Sequence, residues 1–124
     1  MIRTILVATD GSDHAKKALT LASDLGAKYG AKLILLHVPL FNVGSETLHA
    51  VATRSGLPKK LRDLLDNYEI DFQLGVATAG MGTAGGAGFA PPPRELVAAI
   101  GQQIIARAEK ITSKAGGKKG TSMI

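Results

Sequence analysis

The sequence predicts an α/β fold in which a parallel sheet is covered by helices. Two apolar segments, residues 3–9 and 32–38, are each closed by turn-forming residues, and an amphipathic segment lies between them. Near-continuous apolar runs are typical of parallel strands that are covered on both faces. A strand, a helix and a second strand within residues 3–38 form a βαβ unit, whose crossover is right-handed.

The predicted first helix begins after Ser12 and ends at Gly30. Ser12 is a suitable N-cap, Asp13 suits the positive end of the helix dipole, and glycine commonly terminates a helix. The apolar positions recur at helical spacing, at Ala15, Ala18, Leu19, Ala22, Leu25 and Tyr29.

The regular pattern weakens over residues 40–93. Residues 40–56 are compatible with a poorly formed helix, 58–68 with a short amphipathic helix and 70–77 with a short strand. A glycine-rich run and three prolines follow. We therefore expect 40–93 to be a long flexible insertion, with residues 73–92 its most mobile part.

Order is predicted to return at residues 94–115, a helix with one apolar stripe that stops at two glycines. The stripe consists of Val97, Ile100, Ile104, Ala108 and Ile111. Residues 121–124 have the pattern of the beginning of a third strand. Residues 1–124 are expected to form a single domain.

Composition excludes several classes of protein. The chain of 124 residues has no cysteine, so disulfides and thiolate zinc sites are ruled out, and we expect a cytoplasmic location. Neither a signal peptide nor a bilayer-spanning run is present, so no membrane partner is expected. The net charge is +5, but no basic helix face or nucleic-acid-binding motif accompanies it, so nucleic acid is not an expected partner.

Residues 80–85, Gly-Met-Gly-Thr-Ala-Gly, match the G-x-G-x-x-G pattern of dinucleotide-binding loops. That site needs a helix that opens at the last glycines, whereas Pro91, Pro92 and Pro93 follow here. No Gly-Lys-Ser or Gly-Lys-Thr of a Walker A loop occurs in the chain. We expect the glycine run to be a flexible loop.

Residues 5–38, ILVATDGSDHAKKALTLASDLGAKYGAKLILLHV, resemble the universal stress protein family. The first strand ending in Asp-Gly-Ser, the alanine-rich helix and the second strand ending in Leu-His-Val occur in the family's order. The resemblance implies a Rossmann-like fold of the adenine nucleotide alpha hydrolase type. That fold has parallel strands in the order 3-2-1-4-5, with helices on both faces, and usually forms a homodimer. This chain resembles only the N-terminal half, so an incomplete sheet is expected.

The resemblance also implies a binding site at the carboxyl ends of the first two strands, where nucleotide-binding members hold adenosine. The matching residues are Ala8, Thr9, Asp10 and Val38. The Asp10 carboxylate can accept hydrogen bonds from ribose hydroxyls, and the Val38 backbone can meet an adenine edge. The alternative for Asp10 is a residue of the turn and helix start.

The family's phosphate-binding motif is missing. It requires Gly-x-x-Gly, nine residues and then a further glycine, but Glu95 and Ala98 stand where that glycine would follow the run at 80–88. Two functions stay open. One is a stress-response module that binds ATP or another adenine nucleotide, with Mg²⁺ only as its companion. The other is a dimeric interaction protein that binds no nucleotide and contacts a partner through residues 40–93.

Catalysis and metal binding have little support in the sequence. No nucleophile, base and orienting residue are grouped, so weak ATP hydrolysis is the most that we expect. His37 is expected to make a core or strand-end hydrogen bond, His14 to be a solvated first-turn residue, and His49 stands alone, so no metal ligand is assigned. An incomplete sheet would expose an edge and an apolar face, which predicts self-association as a homodimer or larger assembly.

Overall fold

The computed structural model describes residues 1–39, 41, 45–79, 91–116 and 122–124. The elements in chain order are β1 (Thr4–Ala8), α1 (Asp13–Tyr29), β2 (Lys32–Leu36), α2 (Ser45–Ser55), α3 (Lys59–Ala79), α4 (Arg94–Lys114) and β3 (Ser122–Met123). The strands form one parallel sheet in the order β1-β2-β3. The predicted α/β class with an incomplete parallel sheet is confirmed.

The βαβ unit forms as its residues predict. The Ser12 Oγ accepts a hydrogen bond from the Ala15 backbone N–H at 3.2 Å, which caps α1. Gly30 ends α1 in the left-handed conformation, at φ 64°, which glycine adopts without steric cost. β1 and β2 then pair in parallel from Thr4 opposite Lys32 to Ala8 opposite Leu36.

One core lies between the sheet and two helices, α1 and α4. Strand residues from β1 and β2 pack against both helices, so the helices cover the same face of the sheet. Helices lie on the same face when two successive right-handed crossovers advance in one direction across a sheet. The buried cluster is Val7, Leu19, Ala22, Leu33, Leu35, Ile105 and Ala108.

The opposite face of the sheet is not covered by the described residues. Leu6, whose side chain alternates with that of Val7 along β1, is 59% exposed. Ile34 and Leu36 alternate with the buried residues of β2 and are half-buried. An uncovered apolar face is what an incomplete sheet predicts, whereas the expected helices on both faces are not seen in the described part of the chain, where α1 and α4 lie on one face.

A second core joins α2, α3 and α4. Its buried residues are Leu48, Val51, Ala52, Leu57, Leu65, Tyr68, Leu96, Ile100 and Ile104. Residues of α4 thus belong to both cores, which makes this helix the link between the sheet and the α2–α3 pair.

Residues 45–79 are more helical than their sequence pattern predicts. The predicted strand at 70–77 is wrong, because α3 continues to Ala79, and residues 73–79, predicted to be mobile, belong to this helix. The alternation of Ile70, Phe72 and Leu74 suggests a strand, but Phe72 extends the helical stripe from the buried Tyr68 by one turn. Residues 80–90, which include the glycine run, lie outside the described residues.

Among the described helices, none combines the length and the apolar character that crossing a bilayer requires.

Candidate functional site

The loop from β1 to α1 is held in shape by its own side chains. The Gly11 N–H donates to Thr9 Oγ1 at 3.2 Å, and the Ser12 N–H donates to Asp10 Oδ1 at 2.8 Å. Gly11 has a φ of 78°, a conformation that L side chains rarely adopt. The predicted turn role of Asp10 is therefore observed, and it orients the carboxylate at the carboxyl end of β1.

His37 connects the carboxyl ends of the three strands. Its Nδ1 lies 2.8 Å from the Thr9 carbonyl oxygen. Because a carbonyl only accepts, Nδ1 carries the hydrogen. The His37 backbone N–H donates to the Met123 carbonyl at 3.1 Å, and the residue as a whole is 3% exposed. The strand-end hydrogen bond predicted for His37 is confirmed.

A cavity of about 560 Å³ lies at the carboxyl ends of β1 and β2. All four residues predicted for the binding site, Ala8, Thr9, Asp10 and Val38, line this cavity. The other lining residues are Ser12, His14, Ala15, Ala18, Leu36 and His37. Open parallel sheets bind ligands at this position, in the crevice beyond their strand ends.

The charge of the cavity comes from Asp10. Hydrogen bonds from the hydroxyl and the backbone N–H of Ser12 lower the pKa of Asp10 below its ordinary value of 3.8, and the positive charge of Arg54 adds a smaller effect. The exposed carboxylate is therefore ionised at neutral pH and able to accept hydrogen bonds.

Asp13, in the first turn of α1, faces a different partner. Its Oδ1 lies 2.8 Å from Lys16 Nζ, and this contact lowers the pKa of Asp13. Asp13 does not line the cavity, so Asp10 is the cavity's only carboxylate among the described residues.

His49, which stands alone in the sequence, has two acidic neighbours in the structure. His49 on α2 faces Asp66 and Glu69 on α3. The signal in the sequence was the spacing of Asp66 and Glu69, which lie three residues apart and so share one face of a helix. The wrong strand assignment at 70–77 concealed that α3 continues past this pair.

Comparisons with known proteins identify a family for this chain. The family model described as "Universal stress protein family" matches residues 1–70, more than half of the chain. A protein of Thermus aquaticus, described as "Universal stress protein in QAH/OAS sulfhydrylase 3'region", is 49% identical over 37 residues. The match covers 30% of this chain and 27% of that relative's length. No solved structure matches.

The family match includes the β1–α1–β2 unit with the loop that carries Asp10, and it extends through α2 into α3. The chain belongs to the universal stress protein family.

Proposed function

We propose that this chain acts in the stress response as a small-ligand-binding module whose cavity holds the adenosine end of an adenine nucleotide. The observation that carries the proposal is that Ala8, Thr9, Asp10 and Val38, from the ends of two strands, line one cavity. Its volume of about 560 Å³ lies in the range typical of small-molecule sites.

Asp10 is the group that would recognise the ribose. Its Oδ1 accepts the Ser12 N–H at 2.8 Å, which fixes the carboxylate, and a carboxylate has further lone pairs for the ribose hydroxyls. The lowered pKa keeps the carboxylate in the charged, accepting form. Hydrogen bonds to a charged acceptor are stronger than neutral ones.

Val38 would position the adenine. It follows His37, whose ring and backbone N–H hold the ends of the three strands together. The Val38 backbone is therefore attached to a rigid support. The apolar side chains of Ala8, Ala18 and Leu36 line the same cavity and suit a flat heterocycle.

We expect the phosphate groups of a bound nucleotide to contribute little to its affinity. The family's glycine motif is missing from the sequence, and the run at 80–88 does not have its spacing. Adenosine, AMP, ADP and ATP should therefore bind with similar affinities. Mg²⁺ would accompany only the ligands that carry phosphates.

Titration calorimetry with these four ligands tests the proposal. The wild-type chain should bind each of them, and Asp10→Ala should weaken binding about tenfold or more, since it removes a charge-assisted hydrogen bond. Asp24→Asn, a change at an exposed carboxylate of α1 outside the cavity, is the matched control and should bind like wild type. Absence of heat with every ligand, or unchanged binding by Asp10→Ala, would contradict the proposal.

A second candidate function is an interaction protein that binds no nucleotide. It is favoured by the uncovered sheet face, on which Leu6 is 59% exposed, and by β1, which pairs only with β2 among the described strands. Its partner would be a second copy of the chain, and α2 and α3 would offer a surface to another protein. Self-association without any nucleotide binding would favour this candidate.

A further inference from the structure

Helices α2 and α3 bring a histidine and two carboxylates together. His49 Nδ1 lies 3.0 Å from Glu69 Oε1, and one ligand atom each from His49, Asp66 and Glu69 lie within 4.8 Å of one another. These three residues do not line the cavity proposed for the nucleotide.

The helix core determines which faces of α2 and α3 carry these side chains. Leu48 precedes His49 and is 1% exposed, whereas Leu65 and Tyr68 precede the two carboxylates and are 2% and 8% exposed. Buried neighbours set the rotation of each helix about its axis. The three polar groups therefore face each other because α2 and α3 pack through their apolar sides.

The donor set suits a divalent transition metal. Zn²⁺ binds imidazole nitrogen and carboxylate oxygen at about 2.0 to 2.2 Å, so neighbouring ligand atoms in a tetrahedral site lie about 3.4 Å apart. The 3.0 Å pair is close to this spacing, and the side chains of His49 and Glu69 are 48% and 27% exposed, which leaves them free to adjust. An imidazole ligand favours Zn²⁺ and its neighbours over Ca²⁺ or Mg²⁺.

Space for further ligands lies beside the cluster. A cavity of about 240 Å³ is lined by His49, Asp66 and Thr53, among others, and has room for water molecules that complete a coordination shell. Arg62 also lines this cavity, and its guanidinium is the group that would compete with a metal ion for the carboxylates.

We propose that His49, Asp66 and Glu69 bind one divalent transition metal ion, such as Zn²⁺, between α2 and α3. The ion would neutralise two adjacent carboxylates and link the two helices, so its role is to stabilise the α2–α3 pair. This inference goes beyond nucleotide binding and does not depend on it.

The test uses the full chain, stripped of metal with a chelator and free of nucleotide. Titration calorimetry with ZnCl₂ should show one equivalent bound, and Co²⁺ should produce a visible absorption band of a site with protein ligands. Zn²⁺ should raise the melting temperature, because a ligand that binds only the folded state stabilises it. His49→Ala and Asp66→Asn should lose the bound equivalent and the rise in melting temperature.

The matched control is Asp71→Asn, which removes an exposed carboxylate from another face of α3 and should bind Zn²⁺ like wild type. The proposal is overturned if wild type binds no metal ion, or if His49→Ala and Asp66→Asn retain the bound equivalent. Circular dichroism checks the fold of each variant. Should His49→Ala be misfolded, Asp66→Asn and Glu69→Gln decide the question.

Discussion

At the scale of single residues, the loop Thr9–Ser12 determines the candidate site. Thr9 Oγ1 accepts the Gly11 N–H and Asp10 Oδ1 accepts the Ser12 N–H within the loop, and Ser12 Oγ accepts the Ala15 N–H in the first turn of α1. These contacts are local in sequence, so the residue types of the loop suffice to predict its turn.

Gly11 is constrained by both its conformation and its surroundings. It has a φ of 78°, and a Cβ there would lie 3.3 Å from Ile104 Cγ1. Gly11→Ala should lower the free energy of unfolding by about 1 to 3 kcal/mol. Gly30→Ala is the control. Gly30 has a similar φ of 64°, but nothing lies within 4 Å of a Cβ placed there, so this variant should lose only about 1 kcal/mol of the free energy of unfolding. Urea unfolding measures the free energy of unfolding of both variants. Equal losses would show that the Ile104 side chain moves aside without destabilising the fold.

Asp10 should make stability depend on pH in the acid range. Its pKa is lowered in the folded state, so its charged form stabilises the fold above the ordinary value of 3.8, and this contribution is lost as the pH falls through the lowered pKa. The effect should be under about 1 kcal/mol, because the carboxylate is exposed and screened. Melting temperatures of wild type and Asp10→Asn should therefore differ near neutral pH and converge in acid. A constant difference would contradict this assignment.

At the scale of elements, α4 holds the molecule together. Ile105 and Ala108 pack on the sheet side, and Leu96 and Ile100 pack against α2 and α3. The guanidinium of Arg107 donates to the Arg54 carbonyl at the end of α2, where a positive charge is favourable. Helix α4 was predictable from its apolar stripe, but its contact with α2 and α3 was not.

The packing of α3 can be tested within the helix itself. Leu65 is 2% exposed, and Leu65→Ala should lower the free energy of unfolding by about 2 to 5 kcal/mol, because it leaves a cavity in the α2–α3–α4 core. Leu74 on the same helix is 58% exposed, and Leu74→Ala should change the free energy of unfolding by less than about 0.5 kcal/mol. Denaturant unfolding of both variants measures the contrast. Similar small effects would mean that α3 is not docked on the core.

At the scale of the whole molecule, the three-stranded sheet is incomplete on one side. The described residues cover one face with α1 and α4 and leave the other face, with Leu6, exposed. Exposed apolar faces and unpaired strand edges favour association with another chain. This is the physical basis on which we propose self-association.

Leu6→Lys should weaken self-association, because it places a charge on the uncovered face, next to the edge of β1 that is unpaired among the described strands. Sedimentation velocity at micromolar concentration should show the wild type as a dimer or larger species and Leu6→Lys shifted toward monomer. Leu21→Lys, at a residue of α1 that is 61% exposed, is the control for added charge and should sediment like wild type. A monodisperse wild-type monomer would contradict the proposal.

The sequence allowed prediction of the β1–α1–β2 unit, α4, the start of β3 and four of the ten residues that line the candidate cavity. Their signals are local: an apolar run, a cap, a glycine stop or a turn residue. The secondary structure of residues 45–79 was harder to predict. Apolar residues alternate at Ile70, Phe72 and Leu74, and this spacing fits a strand as well as one side of a helix. The burial of Leu65 and Tyr68 against α4 decides in favour of the helix.

The sequence by itself determined the family, the α/β class and the loop that carries Asp10, because these depend on contacts between near neighbours in the chain. Only the tertiary structure decided that α1 and α4 share one face of the sheet, that His37 joins Thr9 and Met123, and that His49 meets Asp66 and Glu69. These residues are distant in sequence: parallel strand pairing brings His37 to Thr9 and Met123, and burial of apolar surface sets how the helices pack.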